Sequence, residues 1–192
     1  RRQRRRDKEE TQADMRSASL SLLEERGPLA GLTLKEVAEA AKVNRVQIYQ
    51  YYGTLEALMR AAISEMLEAG KAERDTIRKL PFAERRLAMF DHFLGQGNLA
   101  KFEAIMACDG DEEFHIFPEL EYAIRDMKHD LETGHLKKEC DLVVAHAMTS
   151  IAYRGYCIFR EIAARDTGIP LAELDERARK TFVLMLEGIA NG

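Results

Sequence analysis

Tryptophan is absent from this chain of 192 residues, and proline (four) and cysteine (three) are scarce. Few prolines leave long stretches in which helices can run unbroken. The cysteines, Cys108, Cys140 and Cys157, are odd in number and lack paired metal-ligand spacing. That pattern fits a reducing compartment better than an oxidised disulfide framework, so cytoplasm is the expected location. No uninterrupted apolar run reaches the roughly 18 residues of a membrane span, and the opening arginine block has no apolar stretch behind it, so neither a spanning helix nor a secretory signal is read. Alternating β-branched runs bounded by turn signals are also missing, which argues against sheet. One further absence is local: no Asp or Glu lies between Glu39 and Glu56 in a chain whose net charge is -4.

The composition that remains, 46% hydrophobic and 32% charged, is that of a folded protein able to bury a core. Charge is unevenly spread. Residues 1–60 hold twelve Lys or Arg against nine Asp or Glu, whereas residues 61–192 hold 17 against 24. A basic first third on an acidic body places any polyanion partner at the first third.

Plentiful Ala, Leu, Glu, Arg and Met predict an all-α fold. Met15, Leu20, Leu22 and Leu23 give a first helix stopped at Arg26-Gly27-Pro28. Thr33-Leu34-Lys35-Glu36 has the T-x-x-E form of a capping box and starts a second, short helix with Val37, Ala38 and Ala41 as its small apolar face. Asn44 is a good N-cap for a third. Two short helices joined by so tight a link read as a helix-turn-helix. Gly53-Thr54 ends the third helix and caps a fourth, which has nothing to stop it before Leu80-Pro81. Further helices are expected over roughly 82–94, 98–108, 118–133, 141–166 and 170–188. The 141–166 segment is apolar around most of its circumference, so one covering surface is expected to be a second subunit, with the last helix as its partner in a four-helix contact.

On a helix over 44–52, Ile48 and Tyr52 fall on one inward face while Arg45, Gln47, Tyr49, Gln50 and Tyr51 point outward. Arginine bonds guanine, glutamine bonds adenine, phenols reach phosphate, and no carboxylate is present to repel the backbone. The third helix is therefore read as a DNA-recognition helix.

These residues resemble the tetracycline-repressor (TetR) family of bacterial transcription regulators. The correspondence lies in Thr33, Val37-Ala38, Ala41-Lys42-Val43-Asn44, Ile48-Tyr49-Gln50-Tyr51-Tyr52 and Thr54-Leu55-Glu56-Ala57-Leu58, covering about 45 residues. The chain departs from the family pattern at Lys42, where a turn glycine is usual and whose replacement implies a turn without the left-handed conformation. It departs again at Leu55, where a phosphate-touching lysine is usual, and at Val46 and Gln47, where small residues are usual and a change bears on operator sequence. The resemblance implies phosphate contacts by Thr33, Tyr49, Tyr51 and Thr54, base contacts by Arg45, Gln47 and Gln50, and a basic arm over residues 1–8 ahead of a DNA-binding domain at 9–54. It also implies an effector-binding and dimerising domain over 55–192. The function it implies is a ligand-responsive repressor that binds a palindromic operator as a homodimer, through residues about 141–188, and is released by a small molecule. The alternative is a helical carrier protein whose DNA-binding domain is weakened.

An apolar or amphipathic effector is expected, with Phe93, Phe102, Met106, Tyr122 and Tyr153 as candidate ligand contacts. The run Asp109-Gly110-Asp111-Glu112-Glu113 lacks the later ligands of a calcium loop and reads as a solvated connection. His129, His135, Cys140 and His146 follow no zinc spacing, and no phosphate loop, nucleophile elbow or metalloprotease motif is present. No metal, no cofactor and no enzymatic activity are called for.

Overall fold

A computed structural model describes residues 8–26 and 31–191, so the arginine-rich arm before Lys8 and the Gly27-Pro28 stop lie outside the described residues. Among the described residues ten α-helices form, and the only β pairing is an isolated bridge between Leu136 and Ala190. The chain divides into two compact units.

The first unit runs to Ala69 and includes Phe102–Phe114. It contains α1 (Lys8–Arg26), α2 (Leu34–Ala40), α3 (Arg45–Tyr52) and α4 (Leu55–Ala69). Met15, Leu22, Val37, Ala38, Ala41, Ile48 and Leu58 make its core, with Val43, Tyr51, Tyr52 and Leu55 packed against it. Helices of seven and eight residues are too short to persist alone, since an isolated helix needs roughly 12–15 residues to be even marginal, so packing and caps hold α2 and α3. At α2 the Thr33 hydroxyl accepts from the Glu36 N–H (3.3 Å) while Glu36 accepts from the Thr33 N–H (3.1 Å). Both the Thr33 hydroxyl and Arg26 hold the Glu36 carboxylate below its usual pKa.

The turn after α2 corrects one expectation. Lys42 occupies the left-handed region at φ 54°, the only described non-glycine residue with positive φ. Its N–H donates to the Glu39 carbonyl (3.2 Å), and the next N–H, of Val43, reaches back to Ala38 (2.9 Å). This is a Schellman closure, with Val43 supplying the apolar contact and a lysine standing where glycine is usual. The turn needs the geometry whether or not the residue favours it, because the two carbonyls at the end of α2 would otherwise be left without donors.

Arg60 on α4 binds Asp111, whose side chain is 6% exposed, and also pairs with Glu113. The acidic run after α7 (Leu99–Asp109) is therefore an anchor for Arg60 rather than a purely solvated connection.

The second unit comprises Gly70–Lys101 and the chain from His115 onward. It contains α5 (Lys71–Ile77), α6 (Phe82–Gly95), α8 (Leu120–Glu132), α9 (Leu142–Thr167) and α10 (Leu171–Glu187). The helix expected to continue to Leu80 stops at Ala69 and restarts after Gly70. A Cβ at Gly70 would lie 2.9 Å from Cε1 of His92, a buried ring whose Nδ1 is 2.9 Å from Glu73. The core of the unit is aromatic. Phe90 stacks on Phe182 (5.4 Å) and Tyr156 (5.5 Å), and Tyr153 lies 5.0 Å from Phe93. Lys137 donates to the last carbonyls of α10, at Glu187 (2.9 Å) and Gly188 (3.0 Å), satisfying its C-terminal end.

Asp141 caps α9 by accepting from the Val143 and Val144 N–H groups. The faces of α9 are inverted relative to an ordinary amphipathic helix. His146, Thr149, Ser150 and Arg154 are buried, while Val143, Val144, Met148, Ile151, Phe159 and Ile162 are exposed. By length and mean hydropathy this 26-residue helix could cross a membrane, although the apolar run is interrupted; its polar stripe packs against α6 and α8 instead.

Candidate nucleic-acid interface

Asn44 accepts from the Val46 N–H (2.9 Å), and the Gln47 side-chain oxygen accepts from the Asn44 N–H (2.9 Å), so α3 begins in a second capping box. Gly53, at φ 77°, closes the other end with its N–H on the Tyr49 carbonyl (3.0 Å). With both termini fixed, the side chains of α3 sort into inward and outward sets.

Ile48 is fully buried. Tyr52 faces α1, accepting from Arg16 (2.9 Å) and donating to the Gln12 carbonyl (3.3 Å). Arg16 also pairs with Glu65 on α4, so one guanidinium joins α1, α3 and α4. Outward lie Arg45, Val46, Tyr49 and Gln50, with Tyr49 48% exposed and the Arg45 guanidinium 5.7 Å from its ring. Tyr51 is half-buried against the core, and the Lys8 ammonium lies 5.5 Å from its ring. The three tyrosines thus differ in circumstance: Tyr52 is a bolt between helices, Tyr51 a shoulder, Tyr49 a free phenol.

Thr33 and Thr54 are exposed N-caps, Thr54 accepting from the Ala57 N–H (3.1 Å). Gln47 is partly committed, since its oxygen is held by the cap and only its NH₂ remains to donate. The N-x-x-Q spacing carried that signal. Val46, which the sequence marks only as a departure from the family pattern, is 56% exposed beside Arg45 and offers an apolar contact of the kind a thymine methyl accepts. Leu55 packs on the core, so the position of the missing lysine serves packing.

The candidate ligand contacts are distributed over both units. Phe93 and Tyr153 touch in the second unit, Phe102 and Met106 are buried residues of the first, and Tyr122 is exposed between Arg78 (5.2 Å) and Arg125 (5.1 Å). Beside Phe93 and Tyr153 lies a polar cluster that residue type alone did not mark. Arg85 pairs with Asp130, both buried. Arg86, 4% exposed, contacts His146 Nδ1 (2.6 Å), Ser150 Oγ (3.3 Å) and Met127 Sδ (3.6 Å), and its Nε has no hydrogen-bond partner. Burial pushes the Arg86 guanidinium down to about 10, and burial beside Arg86 and Arg154 pushes His146 down to about 3. Arginine cannot accept, so His146 Nδ1 must, which puts the imidazole proton on Nε2.

Residues 16–62 match the family described as "Bacterial regulatory proteins, tetR family". No curated protein matches the chain. Among solved structures, a protein assigned as a transcriptional regulator from Streptomyces coelicolor is 18% identical (TM-score 0.69), with 93% of this chain and 97% of that one covered. A protein assigned as a TetR-family transcriptional regulator from Rhodococcus sp. is 15% identical (TM-score 0.66; 95% and 100% covered). A single-residue variant of TetR from Acinetobacter baumannii AYE, solved in complex with minocycline, is 24% identical (TM-score 0.56; 91% and 95% covered). At these identities the likeness extends the shared fold along nearly the whole chain.

Proposed function

We propose that this chain, whose residues 16–62 match the tetR family of bacterial regulatory proteins, is a cytoplasmic, non-enzymatic repressor of that family that binds a palindromic operator as a homodimer and leaves it on binding a small molecule. The observation that carries the reading is α3, capped at both ends, free of carboxylates, and presenting Arg45, Val46, Tyr49 and Gln50 outward. Arg45 and Gln50 read base edges, and Val46 adds an apolar contact. Tyr49, Tyr51, Thr33 and Thr54 hold the phosphates, and Gln47 contributes its NH₂ while its oxygen stays on the cap.

Dimerisation is supported by the apolar outer face of α9 and by Leu184 (66% exposed) and Met185 (56%) on α10. Large exposed side chains clustered on two neighbouring helices mark a surface that another chain covers. Two copies are required because paired half-sites lie roughly 34–36 Å apart, and a ligand that favours another spacing opposes both contacts together. The A. baumannii relative was solved with minocycline, which supports a small-molecule effector here.

The test is selection of a duplex from a random library, followed by titration of the winner and a scrambled duplex at several salt concentrations. The expected outcome is a two-fold symmetric site bound at least about 10³-fold more tightly than the scramble, with log K falling steeply as log salt rises. Enrichment of no sequence, or equal affinity for both duplexes, refutes the reading.

A further inference from the structure

Burying an arginine is expensive unless its charge and its five N–H donors are met, and buried guanidiniums ordinarily sit on carboxylates. Arg85 does so, on Asp130. Its neighbour Arg86 is more deeply buried, yet its partners among the described residues are an imidazole, a hydroxyl and a thioether, all neutral. Its buried Nε donates to none of the described residues. The imidazole adds a donor: with Nδ1 accepting from Arg86, the Nε2 N–H of His146 is free to face a ligand.

Around these polar groups the surfaces are aromatic. The Arg86 guanidinium lies 5.4 Å from the Phe82 ring, His146 meets the edge of Phe117 (5.0 Å), and Phe93 and Tyr153 pack alongside through Arg154 (4.3 and 5.3 Å). An oxyanion would supply the missing acceptors, and a flat or flexible apolar group attached to it would match the rings. An alcohol would accept a hydrogen bond but bring no charge to oppose the guanidinium, and an amine would be protonated and add a like charge. Phosphate esters are a poorer fit, since a dianion asks for more donors than one guanidinium edge and one imidazole N–H provide.

We propose that Arg86 and His146 form an anion-binding centre in the second unit, and that the effector of this regulator is an organic carboxylate with an apolar body. The centre rests on the regulator reading for its physiological meaning, but not for its chemistry. Carboxylate binding satisfies Arg86 Nε and opposes its charge, and the apolar body lies against Phe82, Phe93 and Phe117. Because α6 and α9 supply the two polar groups, the ligand joins these helices through itself.

Two matched pairs of probes separate charge from hydrophobicity: 4-phenylbutyrate with 4-phenylbutan-1-ol, and decanoate with decan-1-ol. Calorimetry on the full chain is expected to show at least one acid binding about tenfold or more tightly than its alcohol. Arg86→Met abolishes that preference and Arg86→Lys keeps part of it. If Arg86→Met fails to fold, the wild-type Arg86 Nε–H resonance decides, moving downfield and exchanging more slowly with the acid and not with the alcohol. Alcohols binding as tightly as acids in both pairs, an unmoved Nε–H resonance, or undiminished acid binding by Arg86→Met overturns the proposal. Affinity for the library-selected duplex, measured on the same preparations, keeps the two readings apart. Lost operator binding with intact acid preference sinks the regulator reading, and intact operator binding without acid preference sinks the carboxylate centre.

Discussion

Replacing Lys42 by glycine should stabilise the protein, against the usual direction of mutation. Lys42 sits at φ 54°, where an L-residue costs about 1–2 kcal/mol because its Cβ crowds the following carbonyl. Glycine removes that cost but gives the unfolded chain more freedom, which returns about 0.5–1 kcal/mol. The net gain is centred on about 0.7 kcal/mol within a span of about 0–1.5 kcal/mol, the centre corresponding to roughly 1–3 °C in melting temperature for a chain of this size. Lys42→Ala is the control: it loses the same cation and keeps the Cβ, so it gains nothing from the turn. Urea and thermal melts followed by circular dichroism at 222 nm measure both variants. Since both lose one exposed positive charge beside α3, they should show the same salt slope on DNA, which isolates the backbone effect. A Lys42→Gly variant no more stable than Lys42→Ala would refute the claim that this turn is held in strain.

Acid should unfold the protein earlier than its carboxylates alone would require. In the fold His146 takes a proton only near about 3, whereas an unfolded imidazole does so near 6.5, so between those values the unfolded state binds the extra proton and stability falls as pH falls. By pH 5 the loss from this one group approaches about 2 kcal/mol; His146→Gln should flatten the stability profile between pH 6.5 and 5, and an unchanged profile would count against the buried neutral imidazole. At Gln47 two variants separate capping from recognition. Gln47→Glu keeps the oxygen that accepts from Asn44 and should fold normally while weakening DNA binding through its charge. Gln47→Ala should lose about 0.5–1 kcal/mol of stability and alter base preference, as read by denaturation and by binding to the selected duplex and its single-base variants.

Local signals were legible where local physics decides. The Thr33 capping box, the Asn44 cap, the burial of Ile48 and the tight link between α2 and α3 all follow from residues within a few positions of each other. Lys42 was misread because glycine preference describes which residue is comfortable in a left-handed turn, whereas the Schellman hydrogen bonds decide whether the turn is left-handed. The close approach at Gly70 was invisible because the buried ring of His92, which a Cβ there would crowd, lies 22 positions away. The polar stripe of α9 was missed for a related reason. Periodicity divides a helix into faces but does not say which face the neighbours cover, and on α9 the apolar one is left outside. Tyr122 was named as a ligand contact by residue type alone, and its ring lies exposed between Arg78 and Arg125, a setting that residue type does not report.

The paired caps at Thr33 and Asn44 carry a thermodynamic consequence. A reading helix already closed on itself has no coil-to-helix step left to perform when duplex arrives. Its association should therefore change heat capacity only in proportion to the interface area covered, without the larger decrement that accompanies coupled folding.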